Sequence, residues 1–283
     1  MEAVNRESYV PAAPSLGSSG AGVADRLDAF AEGATPDALS GLADDLLAVA
    51  GLLGREPGLR RALSDPARGG DDRVELLRSL LRGKVGDQAL ELLEALVSAR
   101  WKGPNALRDA VERLGVDALL AGAGRAGELA EVEDELFRFG QVIDGAPQLA
   151  AVLGDPTAPV EQRGALVEDL LSSKAKATTT RLARLALTGF GGRSVAASLS
   201  RLVEMAAARR DQQIAYVTSA VPLSDEDEER LGAILSRRYG RPVSVKVTID
   251  PEILGGLSVQ IGSDLYDGTV LRRLSAARAA LTK

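Results

Sequence analysis

Shifting the chain by 90 positions lays Pro57, Leu59, Leu63, Asp65, Pro66 and Arg73 on Pro147, Leu149, Leu153, Asp155, Pro156 and Arg163. The same shift lays Leu76, Leu80, Leu81, Lys84 and Leu92 on Leu166, Leu170, Leu171, Lys174 and Leu182. Leucines coincide readily in a leucine-rich chain. A doubled Pro…Asp-Pro is much harder to obtain by chance, because the sequence holds only 12 prolines. Internal duplication accounts for the match better than convergent helix patterning. It restricts this stretch to two copies of one structural unit.

Each copy is helical by pattern. Leu42, Leu46, Val49 and Leu53 keep helical spacing. Pro57 opens a short helix carrying Leu59 and Leu63, which Asp65-Pro66 ends. Leu76, Leu77, Leu80 and Leu81 form the next stripe. Leu92, Leu93, Leu96 and Val97 form another, closing at Trp101, and Leu107, Val111 and Leu114 a further one. The second copy replays this through Phe137, Leu149, Leu170, Leu182, Leu199 and Val203. Stripes of this width bury themselves against other helices. Aromatics are 3% of the chain, so the cores must be built from Leu, Val and Ala. The expectation is mainly α, with two tandem bundles of five to six helices over 23–112 and 113–213. Residues 1–22, with Pro11, Pro14 and Ser18-Ser19-Gly20, read as disordered.

Residues 214–283 change character. Ile214–Val221 is a strand by composition. Ser224 followed by Asp227 resembles a capping box, and Leu231, Ile234, Leu235 and Tyr239 line the helix after it. Val243–Ile249 alternates as a second strand, and Leu257, Val259 and Ile261 alternate with Ser258 and Gln260 as a third. Asp267-Gly268 is a turn dipeptide, and Thr269 is placed to cap a final helix carrying Val270, Leu271, Leu274 and Leu281. The order is β-α-β-β-α, a small α/β domain.

The run from Asp250-Pro251 through Gly255-Gly256 and Gly262 to Asp267-Gly268, with Val217-Thr-Ser-Ala-Val-Pro222-Leu223-Ser224 upstream, resembles the C-terminal signature of the F-type ATP synthase delta subunit family, also called the oligomycin-sensitivity-conferring protein. Two positions depart from the pattern. Ser263 follows Gly262 where an acid is expected, the acid coming at Asp264, and Tyr266 replaces an aliphatic residue; both are read as lying in a turn. Within the signature Gly255, Gly256 and Gly268 are read as fixing turns. The resemblance implies a stator subunit without catalytic residues or cofactor. Such a subunit links the N-terminal segments of the head's alpha subunits to the b-type peripheral stalk, at the cytoplasmic face of the plasma membrane. Helix-in-groove binding by the first and fifth helices of a copy makes Leu27, Phe30, Leu92 and Leu96 candidates for the alpha segment. Leu254 and Leu274 are candidates for the stalk. The family's usual architecture has one helical bundle, so one of the two copies is an addition.

Other functions are weakly supported. A net charge of −6 argues against nucleic-acid binding. The absence of Cys and His removes disulfides, Cys/His zinc sites and His-dependent nucleophilic catalysis, and fits a cytosolic chain. No apolar run reaches the ~18 residues of a spanning helix, and the start lacks a secretory pattern, so membrane association is expected through partners. Gly122, Gly124 and Gly127 form a G-x-G-x-x-G, the one alternative pointing to a dinucleotide-dependent enzyme. Their context favours a helix–helix connection. A helical scaffold with unrelated partners is the other alternative. Asp225–Glu229 reads as helix-start acids complementing the dipole.

Overall fold

The structure, a computed structural model, describes residues 17–210, 213–240, 242–251, 253–261, 264–270 and 272. They fall into a helical unit ending at Ala206 and a C-terminal unit starting at Ala207.

The helical unit begins with α1 (Gly17–Gly33), α2 (Pro36–Arg55), α3 (Pro57–Ser64), α4 (Gly70–Leu81), α5 (Asp87–Ser98) and α6 (Pro104–Arg125). It continues with α7 (Leu129–Asp144), α8 (Pro147–Gly154), α9 (Val160–Leu171), α10 (Ala177–Ala186), a 3-10 turn at Phe190–Gly192 and α11 (Val195–Arg209). Helix α1 starts inside the stretch read as disordered, so that reading is corrected for 17–22. Residues 1–16 lie outside the described residues.

The duplication reaches into the loops. With a shift of 90, α3 starts and ends on α8, and α4 on α9. The turn after α4 holds Gly83 at φ +73, and the turn after α9 holds Ser173 at φ +57. Asp45 Oδ2 accepts from the Gly86 amide at 2.8 Å, and Glu135 Oε2 accepts from the Lys176 amide at 2.8 Å. Asp65 and Asp155 each accept from the amide two residues on, at 2.9 and 2.8 Å. Each is an Asx turn that ends its helix.

The expected boundary between bundles at 112/113 falls in the middle of α6. By the same shift α6 answers to α1, while α11 answers to α6. The helix is therefore the sixth of the first copy and the first of the second. Helix patterning continues unbroken through the boundary, which is why repeat arithmetic misplaces it. Helix α6 is buried on almost every side, and its contact with α2 is the most extensive helix pairing among the described residues. Gly115 allows that contact: a Cβ there would stand 2.8 Å from Leu47 Cγ and Cδ2.

One pair distinguishes the copies. Arg78 of α4 forks onto both carboxylate oxygens of Glu94 on α5, at 2.6 Å each. At the repeated positions the charges are exchanged, with Glu168 on α9 bound by Arg184 on α10. Arg78 holds the Glu94 carboxyl below its ordinary range. We expect Arg78→Glu to lower the melting temperature by placing two carboxylates together, and Arg78→Glu/Glu94→Arg to restore most of the loss. Thermal melts of the two variants check this, and the second copy shows that the fold accepts the reversed polarity.

In the C-terminal unit, β1 (Gln213–Ser219), β2 (Val243–Ile249), β3 (Leu257–Ile261) and β4 (Asp264–Asp267) form a sheet in the order β2-β1-β3-β4. Strand β1 pairs parallel with β2, and β3 pairs antiparallel with both β1 and β4. Helix α12 (Asp225–Tyr239) crosses between β1 and β2, as a parallel pair requires. Its Leu235 packs with Ala215, Val217, Val243, Val259 and Ile261. Ser224 caps it, accepting from the Asp227 amide at 3.2 Å, so the acids at 225–229 sit at a helix start. Strand β4 was not expected. It contains Tyr266, the second of the departures read as a turn, and Asp264, the acid displaced by the first; Ser263 itself lies outside the described residues. The Tyr266 hydroxyl meets Tyr239 at 2.9 Å, and Arg238 lies 4.9 Å from its ring centre. An aromatic residue here joins β4 to α12. Thr269 accepts from the Arg272 amide at 3.4 Å, so the expected cap is present, while residues 273–283 lie outside the described residues.

Candidate partner-binding surfaces

The four helical candidates differ in exposure. Leu27, Leu92 and Leu96 are 1%, 0% and 0% exposed and belong to the core. Phe30 is half-buried. Helical spacing marks the apolar face without saying whether that face meets the core or a partner. A groove of about 530 Å³ does lie between the helices named, lined by α1, α4 and α5. Val23, Val74 and Ala95 are its apolar lining, and Arg26, Asp71 and Glu91 its charged rim. None of these was singled out from the sequence.

A second cavity, about 220 Å³, lies between α6, the 3-10 turn and α11. Trp101, Phe190 and Met205 line it beside Arg113 and Arg201. Trp101 is half-buried and donates its indole N–H to the Leu96 carbonyl at 2.8 Å, which fixes the end of α5. Nearby, burial pushes the Glu112 carboxyl up, although it accepts from the Gly191 amide at 3.2 Å.

In the C-terminal unit β1 and β2 finish at the end of the sheet where β3 begins. Val221, Ile249, Leu254 and Val270 project there, all exposed, Leu254 most of all at 74%. The signature residues build this end. Pro222 is exposed and Leu223 packs on the core. The Asp250 amide donates to Ser219 at 2.9 Å, and Pro251 continues the turn. The Val270 amide donates to Gly255, and the Gly268 amide to Leu257, both at 3.0 Å. Asp267 accepts from the Thr269 hydroxyl at 2.7 Å and its amide at 3.0 Å, which holds its carboxyl below the ordinary range. Gly262 and Leu274 lie outside the described residues.

The glycine alternative fails on this structure. Gly122 and Gly124 are inside α6, and Gly127, at φ +76, follows its C-terminal cap. The Gly127 amide donates to Gly124, and the Glu128 amide to Ala123. These glycines end one helix and start another, and among the described residues no strand precedes them, though a dinucleotide site requires one. Among the described residues no cluster of acids is placed to hold a metal, and no helix is long and apolar enough to cross a membrane.

The sequence profile of the family described as ATP synthase delta (OSCP) subunit matches residues 116–281. The chain belongs to the ATP synthase delta (OSCP) subunit family. Its relatives include the ATP synthase subunit delta of Salinispora arenicola, 61% identical over 92% of this chain and 94% of its own length. The subunit delta of Salinispora tropica is 58% identical over 99% and 98%, and that of Streptomyces griseus 44% identical over 89% and 93%. The family profile covers the second copy and the C-terminal unit. The first copy lies ahead of it, yet the Salinispora tropica subunit matches there too, so the added bundle is shared with that family member. A chain of the Toxoplasma gondii mitochondrial ATP synthase hexamer overlaps 59% of this one at 18% identity, with a TM-score of 0.37.

Proposed function

We propose that the chain is the non-catalytic stator link of an F-type proton-transporting ATP synthase, bound to the N-terminal segments of the head's alpha subunits and to the b-type peripheral stalk. Rotor torque then acts on the head while the link keeps the head from turning. Family membership supports the assignment to the complex. The observation that carries the bridging role is the placement of two unlike surfaces on two different units. The helical unit offers a groove between its helices, and the C-terminal unit an exposed apolar end. Two sites on one tether also raise the effective concentration at the second once the first is held. No chemistry is required of such a link, and its membrane association, at the cytoplasmic face, comes through its partners.

The test is affinity purification of the tagged chain from gently solubilised membranes of its host. Alpha, beta and b-type subunits are expected to co-purify. A charge placed in an apolar contact is strongly unfavourable. Leu254→Asp/Ile249→Asp is therefore expected to cut recovery of the b-type subunit at least tenfold while retaining alpha. Absence of all synthase subunits, from membranes that contain the intact enzyme, would remove the reading and restore the helical-scaffold alternative.

A further inference from the structure

We propose that the cavity between α6, the 3-10 turn and α11 is a binding site for a small monocarboxylate with an apolar body, a single ring or a branched chain. The inference is independent of the stator reading. It starts from a difference between the two copies. By the 90-residue shift Arg113 answers to Val23 and Arg201 to Val111, and both valines are buried in the first copy. The fold can therefore close this place with apolar side chains and needs no cation there. In the second copy two guanidinium groups take those positions, and both line the cavity.

A charge withdrawn from water needs partners that offset the loss. The Arg201 side chain is only 10% exposed. Among the described residues it has one acceptor, Glu204 Oε2, 2.8 Å from its Nη1. A guanidinium carries five N–H donors in a fixed fork, so most of this fork is left for the cavity. Arg193 lines the same space. The other charges there are offset locally. Asp117 lies 3.6 Å from Arg113, and Asp109, the acid among the lining residues, is bound by Arg108 at 2.7 Å. Arg193 has no acidic partner among the described residues. Pairing Arg113 with Asp117, Arg201 with Glu204 and Asp109 with Arg108 thus leaves one cation, which matches a monoanion.

The rest of the wall is apolar. Phe190 and Met205 are buried, while Trp101 and Arg193 are half-buried. The turn carrying Phe190 depends on Gly189 and Gly191, at φ +73 and +64. A Cβ on Gly189 would stand 2.8 Å from the Arg193 carbonyl oxygen. The tight turn puts Phe190 in the wall and returns Arg193 to the same cavity three residues later. Trp101 answers to Gly191 by the shift and comes from the matching loop of the first copy, so a ligand here touches both copies. The volume of about 220 Å³ is the liquid share of about seven waters at ~30 Å³ each, which suits one ring with a short acid arm. A carboxylate meets a guanidinium fork through two parallel N–H···O bonds, and a ring packs on aromatic walls.

Trp101 is the only tryptophan of the chain, so its fluorescence reports on this cavity. The probes are phenylacetate, phenylacetamide, which keeps the ring and loses the charge, and inorganic phosphate. Each is titrated into the full chain, with thermal melts alongside. Phenylacetate is expected to change Trp101 emission saturably and to raise the melting temperature, as a ligand of the native state must. Phenylacetamide is expected to bind at least tenfold more weakly, because charge-assisted bonds to the arginines are lost. Arg201→Val, which copies the first copy's residue, and Arg193→Gln are each expected to weaken phenylacetate at least tenfold, circular dichroism establishing that they fold. If Arg201→Val does not fold, the acid and amide compared on the unaltered chain decide the matter. Equal binding of acid and amide overturns the proposal and leaves a merely apolar cavity. Binding of phosphate but not phenylacetate overturns it in favour of a plain anion patch. An unaltered chain that does not respond to phenylacetate, or two folded variants that bind it undiminished, also overturns it.

Discussion

Replacing Gly256 by alanine is expected to destabilise the C-terminal unit strongly while the helical unit remains protected. The backbone at Gly256 has φ +80, a region a residue with a β-carbon resists. The added Cβ would also stand 2.5 Å from the Gly268 carbonyl oxygen and 3.0 Å from Thr269 Cα. Both atoms are backbone, so neither can rotate away. Strain at such a backbone position costs roughly 1–3 kcal/mol, and overpacking adds about 1–3. A unit of this size has a total stability of only roughly 4–10 kcal/mol. Native-state hydrogen exchange on the full chain should show β1 and β3 exchanging at least a hundredfold faster, with α2 and α6 little changed. Gly240→Ala is the control. Gly240 has φ +69 at the end of α12, but a Cβ there meets nothing within 4 Å. Its cost should be near 1 kcal/mol, the conformational penalty alone. If both variants behave alike, the close approach of Gly256 to Gly268 has no energetic role.

The same two glycines show how far this fold was legible. The signature gave their spacing, and turns were the reading that followed. The turns exist, but the reason two glycines are needed lies in the pairing of 255–257 with 268–270. Strand β4 sets up that pairing. It is four residues long and offers two alternations at most, too few to separate a strand from a turn. The helical candidates sit behind the groove and not in its lining. Leu92 and Leu96 sit on an apolar stripe, and the stripe is core-facing. The groove uses the flank of that stripe, at Glu91 and Ala95, where a charge beside an alanine carries no signal in one sequence. The matching helix starts at Pro57 and Pro147 were legible. The sharing of α6 was not, because 90 residues contain the full set of helices only when one of them is counted twice.

Arg73 and Arg163 matched in that repeat without any role assigned to them, and the second large effect is expected there. Arg73 is 2% exposed. It donates to the Ser98 and Ala99 carbonyls at 3.0 and 3.2 Å, and to Asp65 at 3.3 Å. Arg163 does the same work in the second copy, donating to Leu153 at 2.8 Å and Leu187 at 3.2 Å. A helix leaves its last carbonyls without partners. Here those of α5 are closed off by a guanidinium arriving from α4, whose charge also suits the negative end of the helix dipole. Arg73→Met keeps most of the apolar stem and removes every donor. Hydrogen bonds to a charged group contribute about 1.5–3 kcal/mol each, and the carbonyls left behind are part-buried. The net loss should be about 3–5 kcal/mol. In a unit of this length that corresponds to a fall in melting temperature of roughly 6–20 °C. Arg73→Lys should rescue little, because one ammonium cannot reproduce a fork that spans three carbonyls. The outcome that would sink this account is a lysine variant as stable as the parent, since the position would then need only a buried cation. Arg163→Met should fall by a smaller amount, having two carbonyls to abandon rather than three.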